Sequence, residues 1–531
     1  MKRIWCCILS LLMLFACAAT ACSPSKGSSE STFTAEECEL SLTTKTYKIE
    51  DGQTVPLEVS FTVDGKDVNK ALLSYASSDE NIATVDLNGN VTGVTEGKAY
   101  ITVSYGEKSV KATVNVTLRV NKMKLSHTSV LLPIGETKKV SATVQYGLTK
   151  IENPSLVWES SDTTVATVEN GVITAVSNGK ANVTVTYEDV KETVVVESVA
   201  EATAAQVNTF SEEYVNIYGR SYISNDALSF DHCANAIEIG VVGDSFSVEM
   251  SSTIKSYMRV FVDGATTSKK IDVKGNRETY QITDLGEGYH KVRLVKITEM
   301  TIAGWSIFGF EAEKFFVMPE KSDLKIEFVG DSITVGYGVM GYVGQDGNAD
   351  NTDCSKAYSY VAARELNADY SIVAVTGICA KTNQWTDLNM MSVYSNVSTR
   401  NGNAYSFDEP ADVVVLNLGT NEATHLSEEH GQGADAGPAY AQIFPTHYKE
   451  MLTLIRKKNP NAYIICLYGM IEEFTAISNG IKIAIGEMED EKIVYNPFSF
   501  RGDFNGAGRH PSSVAQKKWG EDLADYIRTL L

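Results

Sequence analysis

The hydrophobic pattern of this chain of 531 residues changes near Asp323. Before that point, apolar and polar residues alternate over short runs separated by Gly and Asn, which is typical of antiparallel strands with one buried face. After it, short apolar runs alternate with longer segments of helical periodicity, which predicts a parallel sheet covered by helices on both faces. The chain therefore contains more than one fold, and its length also exceeds what one hydrophobic core supports.

The segment 323–531 is predicted to be an α/β domain with a parallel sheet. The predicted strands are 325–329, 370–375, 412–418, 463–467 and 492–495, and the predicted helices are 357–366, 439–458 and 514–530. Parallel sheets of this kind bind ligands beyond the carboxyl ends of their strands. Residues that directly follow these strands are therefore the first candidates for chemistry.

The N-terminal half contains an internal repeat. The stretch VTGVTEGKAYITVSY, residues 91–105, is matched by ITAVSNGKANVTVTY, residues 173–187, and each is preceded by a similar SSD…ATV segment. Short alternating runs with Gly and Asn at the turns predict two small β-sandwiches, at 36–119 and 120–199. No catalytic constellation is visible in either copy. They resemble group 2 bacterial Ig-like domains, and that resemblance implies spacers, with weak carbohydrate-binding or adhesion modules as the alternative.

A third β-rich segment spans 206–319. The runs GDSFSVEMSS, YMRVFVDGA and YHKVRLVKITE alternate in polarity, and VDG is a hairpin signal. This pattern predicts an accessory β-sandwich, jelly-roll-like in topology. No pair of nucleophile and base is visible in this segment.

The first 22 residues have the pattern of a signal peptide, with a basic start, an apolar core and small residues before Cys22. The sequence ATAC, ending at Cys22, resembles a bacterial lipoprotein cleavage box, with Cys17 as the alternative lipidation site. Residues 23–35 form a Ser/Thr-rich linker. We therefore expect a secreted, surface-located protein whose contact with the bacterial membrane is a lipid anchor, ordinary secretion being the alternative.

Charge and cysteine usage limit the partners. A formal net charge of −21 disfavours nucleic acids, because phosphate binding needs a basic surface. The five cysteines beyond the signal region are scattered without a C-x-x-C pair, so no zinc cluster is expected. One pair could form a disulfide, and the sequence does not say which pair. The five cysteines are Cys38, Cys233, Cys354, Cys379 and Cys466.

The best candidate for a nucleophile is Ser332, in the stretch GDSIT directly after the first predicted strand. A serine at a strand-to-helix turn lies at the strand's carboxyl end, with backbone N–H groups directed toward an oxyanion formed there. Gly-Asp-Ser is also ordinary turn chemistry, so this stretch alone does not establish catalysis.

Three further residues follow predicted strands or precede the last helix in the same domain. Gly377 lies in VAVTGICAKT, Asn421 in VVVLNLGTNEAT and His510 in GDFNGAGRHPS. Together with Ser332, they resemble the ordered motifs of the SGNH (GDSL) hydrolases. That resemblance implies a Ser332 nucleophile, a His510 base, and an oxyanion hole of the backbone N–H groups of Ser332 and Gly377 and the side chain of Asn421. No cofactor or metal is required by such chemistry.

The chain departs from the SGNH pattern at two positions. Ala507 stands three residues before the histidine, where the family usually has Asp, and Glu422 stands where Asp usually follows the Asn. Either Asp503 orients His510, or a backbone carbonyl does so and the enzyme uses a dyad. Glu422 is assigned no chemistry.

A jelly-roll fused to an SGNH domain resembles carbohydrate esterase family two over about 206–531, which implies removal of acetyl groups from xylan or glucomannan. The alternatives are an esterase for another acyl ester, such as peptidoglycan or host-glycan O-acetyl groups or a short acyl lipid, or a non-catalytic glycan-binding or adhesion protein. Four aromatic residues are candidates for stacking on sugars, and three histidines without ligand spacing are expected at the surface. The aromatic candidates are Trp305, Tyr337, Tyr342 and Trp385. The three histidines are His425, His430 and His447.

Overall fold

The structure is a computed structural model that describes residues 36–117, 121–147, 149–200, 202, 204–207, 213–265, 268–381, 388–400, 402–426, 437–495, 498 and 502–531. The chain divides into two compact units, one reaching to Lys122 and including Val144–Glu152, the other comprising Met123–Thr143 and Asn153–Leu531. The predicted signal peptide, its cysteines and the linker 23–35 lie outside the described residues. Among the described residues, no helix is both long enough and apolar enough to cross a membrane.

The first predicted repeat is all β-structure around one core that includes Phe61, Ile101 and Val114. Its strands form sheets in the orders β2-β10-β9-β6, β1-β4-β5 and β3-β8-β7. Inward and outward side chains alternate along β9 and β10, as the sequence pattern requires. The strands are β1 (Cys38–Leu42), β2 (Thr46–Glu50), β3 (Thr54–Pro56), β4 (Val59–Val63), β5 (Lys66–Asp67), β6 (Ser74–Ser77), β7 (Ala83–Val85), β8 (Asn90–Gly93), β9 (Gly97–Tyr105) and β10 (Lys108–Thr117).

The second repeat has strands at the equivalent positions, and its β12-β20-β19-β16 sheet repeats the order of the corresponding sheet in the first. In both copies the longest hairpin closes next to a tyrosine, Tyr105 or Tyr187. The strands are β11 (Asn121–Leu125), β12 (Ser129–Pro133), β13 (Thr137–Lys139), β14 (Ala142–Tyr146), β15 (Thr149–Lys150), β16 (Val157–Ser160), β17 (Ala166–Glu169), β18 (Val172–Ala175), β19 (Gly179–Tyr187) and β20 (Val190–Val199).

The sandwich domain that follows is an antiparallel ten-stranded sheet folded over its own core. One 17-residue strand, β25, allows this, because its first half pairs with β22 and β29 while its second half pairs with β28. The strands are β21 (Ala204–Val207), β22 (Val215–Tyr218), β23 (Ser221–Ser224), β24 (Ala227–Phe230), β25 (Ala236–Ser252), β26 (Ser256–Val262), β27 (Lys269–Val273), β28 (Glu278–Ile282), β29 (Tyr289–Lys296) and β30 (Trp305–Phe315).

The α/β domain has a five-stranded parallel sheet in the order β32-β31-β33-β34-β35. The five predicted strands and three predicted helices are confirmed, but two helices were not predicted, α3 and α5. The elements are β31 (Lys325–Gly330), α1 (Ser332–Val335), α2 (Tyr358–Glu365), β32 (Asp369–Ala374), α3 (Met390–Ser395), β33 (Val413–Asn417), α4 (Gly437–Lys458), β34 (Tyr463–Leu467), α5 (Thr475–Met488), β35 (Ile493–Tyr495) and α6 (Ser513–Leu530).

Both faces of this sheet are buried. Phe328 on one face packs with residues of α2 and α6, whereas Val329 on the other packs with residues of α3, α4 and α5. The alternation of successive strand residues between two cores explains why the strands are apolar throughout. It also confines functional groups to the loops at the strand ends.

The sandwich and α/β domains share buried polar contacts. The Arg220 guanidinium is 2.9 Å from the Glu327 carboxylate and donates to the carbonyls of Tyr394 and Asn396, both at 2.7 Å. Arg259 of the sandwich likewise bonds Asp353 of the α/β domain. Charges buried in this way need their partners, so the two domains are packed as one body.

Candidate active site

Ser332 is fixed at the carboxyl end of the central strand β31. A Cβ on Gly330 would lie 2.1 Å from the Thr334 hydroxyl and 3.0 Å from the Asn417 carbonyl, so only glycine permits this close turn. Asp331 then caps α1 by accepting from the Ile333 N–H at 2.9 Å. The helix lasts a single turn and ends at Gly336, which is in the left-handed region. Ser332 is its first residue, so its N–H has no acceptor within the helix.

His510 meets Ser332 directly. Its Nε2 is 2.7 Å from the Ser332 Oγ, and its Nδ1 is 2.9 Å from the Gly508 carbonyl oxygen. A carbonyl can only accept, so Nδ1 carries the hydrogen and Nε2 is left to accept the serine proton. Burial lowers the pKa of His510 below its usual 6.5, although the bond to Gly508 opposes that effect. The imidazole is therefore neutral, and able to act as a base, at neutral pH.

Of the two alternatives for orienting His510, the structure has the backbone carbonyl. The Asp503 carboxylate is occupied elsewhere, accepting from the Ser512 N–H at 2.6 Å and the Asn505 side chain at 2.7 Å, which makes Asp503 wrong as the orienter. Ala507 is fully buried, and a Cβ on Gly341 would lie 2.4 Å from its Cβ. A carboxylate at position 507 has no room in this packing.

The loops that carry Gly377 and Asn421 meet beside Ser332. The Asn421 Nδ2 donates to the Ile378 carbonyl at 3.0 Å and lies 3.5 Å from a carboxylate oxygen of Asp331. Asn421 thus contacts the residue after Gly377 and the residue before Ser332. Gly377 has a φ of 78°, a conformation that favours glycine. These contacts bring the four residues of the predicted site to one edge of the sheet.

Glu422, to which the sequence assigned no role, holds these loops together. Its two carboxylate oxygens accept from the Ala380 N–H at 2.8 Å and the Gly419 N–H at 2.9 Å. Burial raises the pKa of Glu422 to about 7 despite these bonds, and burial, with Glu422 nearby, raises that of Asp331 to about 7 as well. This bracing role of Glu422 was not predictable from the sequence, because its partners Ala380 and Gly419 lie on two different loops.

The predicted sugar-stacking residues have different environments. Trp305 is wrong as a platform, because it is 1% exposed and its indole N–H donates to Ser256 at 2.8 Å in the sandwich core. The Tyr337 ring packs on the His510 ring with centroids 4.9 Å apart, and its hydroxyl donates to the Gly347 carbonyl. Tyr342 is 69% exposed. Trp385 lies outside the described residues.

Two of the histidines expected at the surface are buried. His425 is 4% exposed and stacks on Tyr440 at 4.7 Å, and His447 is 5% exposed on the buried face of α4. That face carries Tyr440, Phe444 and His447 at helical spacing. This spacing is visible in the sequence and predicts that His447 shares the buried face of the helix. His430 lies outside the described residues. The five cysteines are all described and buried, and no disulfide joins any two of them.

Comparisons with known proteins agree with this architecture. Family models match residues 39–116 and 119–198 (bacterial Ig-like domain, group 2), 217–319 (carbohydrate esterase 2 N-terminal) and 328–500 (GDSL-like lipase/acylhydrolase family). Each of these domains is thereby identified by a separate match.

Among characterised proteins, the cellulase/esterase CelE of Acetivibrio thermocellus is 26% identical over 311 residues, 56% of this chain but 37% of CelE. An acetylxylan esterase/glucomannan deacetylase of Cellvibrio japonicus is 25% identical, covering 60% of this chain and 90% of its own length. The solved structure of a family two carbohydrate esterase from Clostridium thermocellum, in complex with cellohexaose, superposes with a TM-score of 0.54 at 25% identity, over 59% of this chain and 98% of that one.

The residue ranges of these matches give the order of the domains. The chain is a multidomain protein in which two group 2 bacterial Ig-like domains precede a carbohydrate esterase 2 N-terminal domain and a GDSL-like lipase/acylhydrolase domain of the SGNH hydrolase type.

Proposed function

We propose that this protein is a carbohydrate O-acetyl esterase that removes acetyl groups from polysaccharides such as xylan or glucomannan. The observation that carries the proposal is the 2.7 Å contact between Ser332 Oγ and His510 Nε2, with His510 Nδ1 bonded to a carbonyl. Nucleophile and base are in hydrogen-bond reach, and the base has a partner that fixes its tautomer.

In the acylation step, the Ser332 Oγ attacks the acetyl carbonyl carbon while its proton passes to His510 Nε2. The tetrahedral intermediate collapses as the sugar oxygen leaves and takes that proton from His510. The products of this half-reaction are an acetyl-serine and the free sugar hydroxyl. Water then attacks the acetyl-serine by the same route, with His510 accepting the water's proton and returning it to Ser332 Oγ, and acetate is released.

The negative charge that develops on the carbonyl oxygen needs donors already in place. We assign these to the backbone N–H groups of Ser332 and Gly377 and to the side-chain amide of Asn421. The Asn421 amide has two hydrogens, so it can keep its bond to Ile378 and give the other to the oxyanion in place of its 3.5 Å contact with the Asp331 carboxylate. Removal of one donor of this kind typically costs about 2.7–4 kcal/mol of barrier.

The substrate class rests on the relatives. The Cellvibrio japonicus proteins are described as acetylxylan esterase/glucomannan deacetylase, and their matches cover 60% and 55% of this chain. Exposed Tyr342 and half-buried Tyr337 lie on the loop after the nucleophile and are the proposed contacts for sugar rings.

Secretion and surface anchoring through Cys22 complete the proposal. The Ig-like domains would act as spacers that extend the esterase away from the envelope toward an insoluble polysaccharide. The strongly acidic chain, with a net charge of −21, fits a neutral glycan better than a polyanionic partner.

The test is acetate release by the purified protein from acetylated xylan, acetylated glucomannan and a chromogenic acetyl ester. Ser332→Ala and His510→Ala should each lower kcat by about 10⁴-fold or more, since the two residues act as one unit. Asp503→Ala should retain most of the kcat, because Asp503 contacts Ser512 and Asn505 and not the histidine. Absence of release from every ester by the parent protein would contradict the proposal.

One observation favours a second candidate, glycan binding without turnover. A similar structure is described in complex with cellohexaose, an unacetylated glucan. Binding of cello-oligosaccharides that survives Ser332→Ala, combined with no acetate release by the parent, would support this candidate in place of the esterase.

A further inference from the structure

A loop of the sandwich domain enters the active-site region of the α/β domain. This loop, residues 297–304, connects β29 to β30. Met300 at its tip is 1% exposed and belongs to the apolar core beneath one face of the parallel sheet. The Met300 carbonyl also accepts from the Arg400 guanidinium at 2.8 Å. The loop is therefore built into the α/β domain by apolar and polar contacts.

Glu299, next to Met300, places a buried carboxylate beside the loop that carries Thr376 and Gly377, here called the oxyanion loop. It is 4% exposed, and its two oxygens accept from the hydroxyls of Thr301 and Thr376. Its own backbone is held by the N–H groups of Ile302 and Ala303, which donate to the Glu299 carbonyl at 3.3 and 3.2 Å. The mechanism described above uses none of these groups. Burying a carboxylate costs free energy unless it is hydrogen-bonded, and the two threonine hydroxyls supply those bonds.

The contact with Thr376 bears on the reaction because Thr376 immediately precedes Gly377. The Gly377 N–H belongs to the planar peptide unit that joins these two residues, so any rotation of that unit redirects the N–H. After Gly377 in the chain, the Ile378 carbonyl accepts from the Asn421 side chain and the Ala380 N–H donates to Glu422. Before Gly377, the Thr376 side chain is tied to Glu299.

Glu299 also acts on the tyrosine that contacts the base. Its charge contributes, after burial, to the raised pKa of Tyr337, whose ring packs against His510. A carboxylate of the sandwich domain therefore contacts the residue before Gly377 and influences electrostatically the tyrosine that packs on His510.

We propose that Glu299 is a positioning residue for the oxyanion hole: by fixing Thr376, the sandwich domain sets the direction of the Gly377 N–H. This inference rests on the proposed hydrolase function of Ser332 and does not depend on which acyl ester is the substrate. It gives the sandwich domain a part in the chemistry itself, in addition to any contact with the polysaccharide.

The test compares four substitutions in the full chain, using a chromogenic acetyl ester. Glu299→Ala and Thr376→Val each remove the bond, and each should lower kcat by about 10- to 100-fold with KM within about 3-fold, less than the 10²–10³-fold loss for deleting a donor. Glu299→Gln and Thr376→Ser keep an acceptor and a hydroxyl, and both should stay within about 5-fold of the parent. The double variant Glu299→Ala/Thr376→Val should be no slower than the slower single variant, because both remove one interaction.

Lys321→Met is the matched control for a structural effect. Lys321 makes a charged contact with Asp369 at 2.7 Å and donates to the Ile217 carbonyl, at the opposite end of the strands from Ser332. It should lower the melting temperature without lowering kcat. If Lys321→Met lowered kcat as much as Glu299→Ala at equal loss of melting temperature, or if Glu299→Ala kept the parental kcat, the inference would be overturned.

A second readout separates this inference from the substrate assignment. A fluorophosphonate reacts with an activated serine and places its phosphoryl oxygen where the oxyanion would be. Slower labelling of Ser332 by about 10-fold or more in Glu299→Ala, with parental labelling in Lys321→Met, would support the inference even if no acetyl ester were cleaved. Equal labelling rates in all variants would overturn it.

Discussion

At the level of single residues, the histidine of this site has a neutral partner. In a Ser-His-Asp triad a carboxylate stabilises the imidazolium that forms during the reaction, whereas the Gly508 carbonyl offers only a dipole. Burial then lowers the pKa of His510 without a nearby charge to restore it. The base is consequently weaker than in a triad but remains unprotonated to lower pH.

This difference predicts the pH dependence of catalysis. The acid limb of the kcat/KM profile should be centred below pH 6.5, because the pKa of His510 lies under its usual 6.5. A pH profile of kcat/KM on a soluble acetyl ester checks this, with a stability control at each pH. An acid limb centred above 6.5 would contradict the assigned environment of His510.

The raised pKa of Asp331 predicts that its contribution to stability is lost as the pH rises, whereas most carboxylates lose theirs as the pH falls. Burial raises its pKa from 3.8 to about 7, so the folded state holds a proton that the unfolded state has already lost above pH 4. Its contribution, at most about 4 kcal/mol for a shift of this size, is complete below pH 4 and disappears as the pH rises to about 7. Glu422 contributes in the same direction.

Asp331→Asn removes this titration while keeping an oxygen to cap α1. The urea concentration at which half of the activity is lost through unfolding should therefore depend less on pH between 4 and 7 in the variant than in the parent. Urea unfolding at several pH values measures the difference. Parallel profiles for the two proteins would show that Asp331 is ionised throughout.

Much of the site was predictable residue by residue. Ser332, Gly377 and Asn421 each follow an apolar strand, and strand ends in a parallel sheet converge on one edge. Trp305 was misassigned because alternation in a strand does not reveal which face is buried. Glu422 and Glu299 were not predictable in their roles, because their partners come from loops remote in sequence.

At the level of elements, the loops around Ser332 depend on Glu422. Glu422→Gln should lower the stability of the domain by about 1–3 kcal/mol, because a side-chain amide has one acceptor oxygen and would oppose the second backbone N–H with its own N–H₂. It should also lower kcat, since the displaced segment carries Gly377 and Asn421. Thermal unfolding and kinetics measure the two effects.

Glu487→Gln provides the comparison for that experiment. Glu487 is an exposed residue of α5 that pairs with Lys449 at 3.0 Å. Surface pairs of this kind contribute little, so this variant should match the parent in both measurements. Equal behaviour of the two Gln variants would remove the role given to Glu422.

Helix α5 shows what local sequence could not predict. Its sequence TAISNGIKIAIGEM contains two glycines and four isoleucines, which are weak helix formers. The helix forms because Ile477 and Ile481 are buried and Gly480 lets α4 approach, a Cβ there lying 2.6 Å from the Phe444 ring. Tertiary packing decided this element, whereas α4 and α6 were evident from their periodicity.

At the level of the whole molecule, the internal repeat and the change of pattern near Asp323 predicted the architecture from sequence. The packing of the sandwich against the α/β domain was not predictable, because it depends on pairs such as Arg220 with Glu327 that come from distant segments. A repeat is visible within one sequence, whereas a contact between unlike domains is not.

The proposed anchor is also a property of the whole molecule. Cys22→Ala should move the protein from the membrane fraction to the medium and abolish incorporation of a fatty-acyl label, because stable anchoring needs more than one acyl chain on that residue. The specific activity of the released protein should equal that of the parent. Cys17→Ala is the control, and loss of anchoring in Cys17→Ala alone would move the lipidation site to Cys17.

The packing around Ala507 has a consequence for how this site can change over evolution. Ala507 is fully buried against Gly341, and Gly338 is equally close, since a Cβ placed there would lie 2.4 Å from the Ala507 carbonyl oxygen. A single mutation to Asp would place a carboxylate three residues before the histidine in a space that does not exist. A triad in this protein would therefore require changes in the loop after Ser332 together with the change at position 507, and this packing favours retention of the Gly508 carbonyl as the partner of His510.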